Sequence, residues 1–292
     1  MYELIQVGER TYYINSPAKM GLYRLDNDSV VLIDTGNDKD AGRKLQKIIE
    51  ENGWRLHMII NTHSHADHIG GNNLLQQRLG APAYCPGIDK AFAENPILEP
   101  SYLFGGYPVR ELKNKFLFAA ESRVSELVPD ILPEGLEMIR LDGHSFSMAG
   151  IKTSDDVWFL ADCVTNAQIL EKYHIFYLYD LQGFLNTLDN VEELEGKLFI
   201  PSHSEPMEDI KPLVDLNRRK AMEIIDLLLN IVKESKCFED ILKDVFDNYE
   251  LKMDFNQYVL VGSTIRSYLA YLKENGKIAV DFVDNKLLWK AS

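Results

Sequence analysis

The stretch from Met58 to Gly71, MIINTHSHADHIGG, constrains this chain more than any other. It opens on an apolar, β-branched run, Met58-Ile59-Ile60, of the kind a buried strand requires. Polarity then inverts. His63, His65, Asp67 and His68 fall within six positions, and Gly70-Gly71 follow. Imidazole nitrogens and carboxylate oxygens are the donors that Zn²⁺ and similar first-row ions accept. Side chains two apart in a loop can converge on one ion, so His63 and His65 can share a metal while Asp67 and His68 face a second. A lone histidine here would read as a satisfied polar group; four donors in six positions do not. The glycine pair lets a helix begin with its backbone packed close.

Composition sets the surroundings of that stretch. The chain has 292 residues, 46% hydrophobic and 26% charged, enough for one large domain or a domain with a small appendage. Met1-Tyr-Glu-Leu-Ile-Gln carries neither a basic n-region nor an apolar h-region, which predicts no signal peptide. No apolar run reaches the length that spans a bilayer, so no membrane partner is expected. Cys85, Cys163 and Cys237 are odd in number and scattered, which points to a reducing, cytoplasmic setting. A net charge of −14 opposes nonspecific contact with phosphate backbones but leaves room for a local basic groove.

Along the chain, 11–15 and 21–25 read as strands, and Ser29 to Asp34 as a buried strand that ends in a carboxylate, followed by Thr35-Gly36. Asp40 to Asn52 has helical apolar spacing, with Ala41, Leu45, Ile48 and Ile49 on one side and Gly53 as the stop. Ile69 to Leu79 reads as a second helix and 82–85 as a short strand. Such alternation points to an α/β layered fold. Residues 86–132 are less regular and rich in aromatics, with Val109 to Val128 predicted helical. They fall where a lid or a substrate wall could be inserted. Strands follow at 136–141, 151–153, 157–160 and 197–201, with a helix at 181–194. His144, Asp162 and His203 each follow one of these strands closely. His57 precedes a strand and reads as structural; His174 reads as a packing or pocket-side residue. From about Lys211 the chain turns helical (217–235, 238–246, 259–273) and closes on a predicted hairpin, 277–282 with 286–289.

The residues THSHADH resemble the HxHxDH signature of the metallo-β-lactamase superfamily, and the resemblance covers roughly residues 1–210. It implies a four-layer αββα sandwich with the site on one edge of two packed sheets. It implies His63, His65 and His144 on one metal, Asp67, His68 and His203 on another, and Asp162 bridging. Asp34, in a motif similar to the family's LIDTG, would orient metal-bound histidines from behind; its alternative is a cap for the helix after it. Two departures stand out. Phe146-Ser147-Met148 replaces the usual Pro-Gly-Ser after the third histidine, and Ala161 replaces the usual glycine before Asp162.

The activity so implied is a metal-dependent hydrolase in the manner of glyoxalase II. Two zinc ions, with iron or manganese as substitutes, would hold a hydroxide that attacks an ester, thioester or lactone, with Asp67 and Asp162 at the reacting centre. A phosphodiesterase or ribonuclease of the same superfamily is the alternative. It would use the helical, winged-helix-like tail, 211–292, to hold nucleic acid. Six Lys/Arg against four Asp/Glu over 251–292 gives only +2, and favours packing or homodimerisation as the role of that tail. The expected partner is a small-molecule substrate.

Overall fold

The computed structural model describes residues 2–292 except Asn27. One sheet holds β1 (Glu3–Gln6), β2 (Thr11–Asn15), β3 (Met20–Arg24), β4 (Ser29–Ile33), β5 (Arg55–Ile60), β6 (Ala83–Cys85) and β7 (Val124–Glu126) in chain order. It is antiparallel from β1 to β4 and parallel from β4 to β7. The other, in the order β11-β10-β9-β8, is built from β8 (Leu136–Arg140), β9 (Ala149–Thr153), β10 (Val157–Thr165) and β11 (Leu198–His203). Only β10 and β11 run parallel there.

Alternation along β4 explains the layering. Val31 and Ile33 face the second sheet and pack with Ile151, Phe159 and Ile200. Val30 and Leu32 face the other way and pack with Leu45 and Ile49 of α1 (Lys39–Glu51) and Leu75 of α3 (Asn72–Leu79). A strand covered on both faces reads as continuously apolar, as SVVLI does. Each aliphatic side chain so buried contributes about 1.5–3 kcal/mol. On the far side, Trp158 and Leu160 of β10 pack under Phe184 and Leu188 of α7 (Leu181–Glu192). The result is helix, sheet, sheet, helix: the αββα sandwich expected from the sequence.

The remaining elements are α2 (Ala66–Ile69), α4 (Asp89–Glu94), α5 (Leu98–Phe104), α6 (Ala167–Tyr173), α8 (Lys211–Ile231), α9 (Phe238–Asn248), α10 (Phe255–Glu274) and a hairpin of β12 (Ile278–Val283) with β13 (Lys286–Ala291). Four expectations need correction. The helix expected over 69–79 is two helices, α2 and α3, parted at Gly70-Gly71. There the loop before α1 presses so close that a Cβ on Gly70 would sit 2.2 Å from the Asn37 carbonyl carbon. Val109 to Val128 is not helical: it holds one 3₁₀ turn, Arg110–Leu112, then irregular chain, then β7. The Asn114 side chain accepts from the Phe116 amide at 2.9 Å, a local turn that competes with a helix. The long tail helix starts at Lys211 rather than 217, with Pro212 in its first turn. His57 lies inside β5 and is exposed, rather than before it.

The tail shares the sandwich's core. Ile224 and Leu228 of α8, Val245 of α9 and Ile265 of α10 belong to the same apolar cluster as Trp158 and Phe184. Among the described residues, no helix is long and apolar enough to cross a membrane.

Candidate metal centre

The chain delivers its histidines to one edge of the sandwich because the strands that carry them end there. β5 runs out at Ile60, and His63 and His65 follow. β8 precedes His144, β10 carries Asp162, and His203 is the last residue of β11. Asp162 sits just past an irregularity in β10, where Ala161 takes φ +49°. That is left-handed backbone, which favours glycine; the family's usual glycine at this position has its physical reason here.

All seven residues meet. Donor atoms of His63, His65, His144 and Asp162 lie within 4.8 Å of one another, as do those of Asp67, His68, Asp162 and His203. Asp162 belongs to both groups. Its Oδ2 lies 3.4 Å from His144 Nε2 and 3.2 Å from His203 Nε2.

The outer nitrogens of the imidazoles fix which inner atoms face the centre. Thr62 donates to Asp34 at 2.7 Å and accepts from His63 Nδ1 at 3.1 Å. His68 Nδ1 donates to Asp34 at 2.8 Å, His144 Nδ1 to the Tyr177 carbonyl at 3.0 Å, and His203 Nδ1 to the Pro17 carbonyl at 3.2 Å. Each of these four rings therefore turns its Nε2 toward the centre, the orientation in which metal-binding histidines are held. His65 is reversed. Its Nδ1 points inward, 3.0 Å from His63 Nε2 and 2.9 Å from His144 Nε2. Three ring nitrogens so close need either a proton on His65 Nδ1 or a cation among them. His68 Nε2 and Asp162 Oδ1 are buried 3.2 Å from each other, with no well-aligned hydrogen bond to any described residue. A donor set of this kind fits metal ions.

Electrostatics divide the two groups. Burial, reinforced by the neighbouring imidazoles, holds His63 well below the usual histidine range, His65 at about 4 and His144 at about 3. Burial also opposes charge on His68 and His203, but Asp162 and the carboxylates beside it outweigh it. They hold His68 well above its ordinary value and His203 at about 10. Burial is likewise outweighed at Asp67 and Asp162, whose pKa values the paired imidazoles lower.

Asp34 stands where a supporting carboxylate is wanted. It sits at φ +62°, and its carboxylate also accepts the Thr62 amide at 2.8 Å. It does not cap α1; Asp38 does, accepting from the Asp40 and Ala41 amides. His174 lies apart from the centre, stacked on Tyr249 at 4.6 Å.

Two supporting acids were not legible in the sequence. Asp89, fully buried, accepts from the Ser64 amide at 2.9 Å, the Ser64 hydroxyl at 2.8 Å and the Ser147 amide at 2.7 Å. It thus ties the loop of His63 and His65 to the loop of His144. Glu99 on α5 is 9% exposed, and burial, then Asp89, pushes its carboxyl up to about 8. Their one sequence signal is a carboxylate in an otherwise apolar run, as in Ile97-Leu98-Glu99-Pro100.

A cavity of about 400 Å³ opens beside His65 and Asp67. Glu99, Phe116 and Leu117 form one wall; Asn256, Gln257 and Leu260, from the first turns of α10, form another. Phe116, 66% exposed, also borders a smaller cavity of about 240 Å³ that reaches His203.

The model of the metallo-beta-lactamase superfamily matches residues 16–203. The chain belongs to the metallo-beta-lactamase superfamily. Two solved structures share the fold over the whole chain, tail included. A beta-lactamase domain protein from Burkholderia ambifaria superposes with a TM-score of 0.78 at 16% identity, over 99% of this chain and 94% of that one. A metallo-beta-lactamase family protein from Thermus thermophilus does so with a TM-score of 0.73 at 17% identity, over 97% and 98%. Among curated relatives, a hydroxyacylglutathione hydrolase of Rhizobium meliloti (strain 1021) is 30% identical over 126 residues, 35% of this chain and 49% of that protein. The match thus spans about half that relative's length.

Proposed function

We propose that this chain is a metal-dependent hydrolase that opens an ester, thioester or lactone bond in a small molecule, with two zinc ions as its resident metals. The observation that carries the reading is the pair of donor groups sharing Asp162. His63, His65 and His144 would hold one ion, Asp67, His68 and His203 the other, and Asp162 both. A pair of ions supplies, when bound, an activated water and a Lewis acid at neutral pH, so no serine or cysteine nucleophile is needed.

The chain's own groups do the rest. Thr62, Asp34 and the carbonyls of Tyr177 and Pro17 keep the imidazoles aimed, so little reorganisation precedes reaction. The cavity beside His65 and Asp67 has apolar walls at Phe116, Leu117 and Leu260 and amides at Asn256 and Gln257. It suits an acyl group with an apolar portion, which the walls hold against the reacting edge and shield from water. The name of the Rhizobium relative, hydroxyacylglutathione hydrolase, supports acyl substrates. The free cysteines fit a reducing compartment, and a cytoplasmic location is part of the proposal. So is the division into a sandwich, 1–210, and a tail, 211–292, that completes the cavity wall.

The test is turnover by zinc-loaded protein on a panel of acyl thioesters, esters, lactones and phosphodiesters, with His65→Ala as the control. Hydrolysis of acyl substrates that the control loses is expected. A silent acyl panel beside active phosphodiester cleavage would overturn the reading.

A further inference from the structure

Four of the five clustered histidines have their outer nitrogen fixed at 3.2 Å or less, by Thr62, Asp34, Tyr177 and Pro17. His65 alone has no such bond among the described residues. Its Nε2 faces Glu99 Oε1 at 3.6 Å. Glu99 is the complementary oddity: a carboxyl nine-tenths buried, with no hydrogen-bond partner among the described residues. The carboxyl opens only onto the cavity, so little water reaches it, and the one ring nitrogen it faces is His65 Nε2. The distance is one that a small rotation of either side chain closes to hydrogen-bond length. His65 is also the ring whose Nδ1 turns inward, so with an ion bound at Nδ1 its Nε2 carries the proton and has one to give.

We propose that Glu99 is a positioning residue: it accepts the His65 Nε2 proton and fixes that ring's orientation and tautomer for the ion shared with His63 and His144. The inference rests on the ligand assignment proposed above. It gives the 86–132 segment a second use besides walling the cavity, since α5 brings the fifth supporting acceptor to a centre whose other four come from the sandwich and from the Tyr177 loop. It also accounts for Tyr177, whose ring sits edge-on to His65 at 5.3 Å and to His144 at 5.7 Å. That ring limits how far the two imidazoles can swing but offers His65 no acceptor.

The test uses the full chain, stripped of metal and titrated with Zn²⁺ and with Co²⁺ against a competing chelator, together with thermal unfolding of the metal-free protein. Wild type is expected to bind two equivalents. Glu99→Leu keeps the bulk of a largely buried side chain and removes only the carboxyl, so the metal-free variant should unfold close to the wild-type temperature. One of its two equivalents should nevertheless bind about 10–100-fold more weakly, with an altered Co²⁺ spectrum for that site. Glu99→Gln, whose amide oxygen still accepts, should recover most of the affinity. A Glu99→Leu protein that binds both equivalents like wild type would overturn the inference. So would one that unfolds early in the metal-free state and weakens both sites alike. A wild type that binds no metal would instead remove the ligand assignment itself.

Discussion

At the scale of single residues, the centre depends on a carboxylate that belongs to neither donor group. Asp34 receives the Thr62 amide, the Thr62 hydroxyl and the His68 imidazole, and through Thr62 it steers His63 as well. One side chain therefore orients a ligand in each donor group. Asn tolerates the left-handed backbone at this position, so Asp34→Asn changes charge and acceptor capacity with little backbone strain. The expected outcome is about 10–100-fold weaker metal binding at both sites, read by chelator competition. Much at this scale was legible in the sequence. HxHxDH packs four donors into six positions, and LIDTG, GHS and PSH each follow an apolar run. Glu99 and Asp89 were not, because a lone carboxylate in an apolar run does not say what it supports. Their partners lie 34 residues back at His65 and 58 residues on at Ser147, and only the fold makes them neighbours.

Among elements, the contrast between 39–51 and 109–128 shows where periodicity informs and where it misleads. α1 buries Ala41, Leu45 and Ile49 on one stripe against a sheet, so local pattern and tertiary demand agree. Over 109–128 the apolar residues serve different surfaces. Leu112 and Leu117 pack with Val259 of α10, Val124 joins a strand at the sheet edge, and Phe116 stands over the cavity. No single helical stripe can meet all three demands, so tertiary contacts override the spacing. The first turns of α10 are the element-scale counterpart: a tail helix read from its pattern as packing also walls the cavity. Leu260→Trp should narrow that space without touching a ligand. Bulky acyl substrates should lose about tenfold in kcat/KM while acetyl substrates and metal content change little, a comparison made on matched thioesters.

For the whole molecule, the metal-free protein should be labile to acid. His63, His65 and His144 ionise near 6.5 when unfolded but only at much lower pH when folded, at about 4 and 3 for the last two. Between those limits the unfolded chain takes up protons that the folded one refuses, so stability present above pH 6.5 is lost as pH falls toward 3. The lowered pKa values of Asp67 and Asp162 act in the same direction below about 4. Glu99, pushed up to about 8, works the other way between about pH 8 and 4.5, but one carboxyl is outweighed by three imidazoles. Thermal unfolding of chelator-treated protein from pH 7 to 4 should therefore show a falling midpoint; a flat or rising profile would contradict the buried, neutral state of these rings. The layered fold was legible from the alternation of strands and helices. The sharing of one apolar cluster between sandwich and tail was not, since it depends on contacts between residues as distant as Trp158 and Ile265.

α10 is a rod of 20 residues, about 30 Å from end to end. One tip borders the reaction chamber, and the other leads into the hairpin, where the Lys277 amide bonds the Leu272 carbonyl. A pivot of a single degree about the hairpin end would carry the chamber tip about 0.5 Å over that length. The rod's buried face, Ile265 and Leu269 in the cluster shared with Trp158, holds it against such a pivot, so the core of the sandwich sets the width of the chamber.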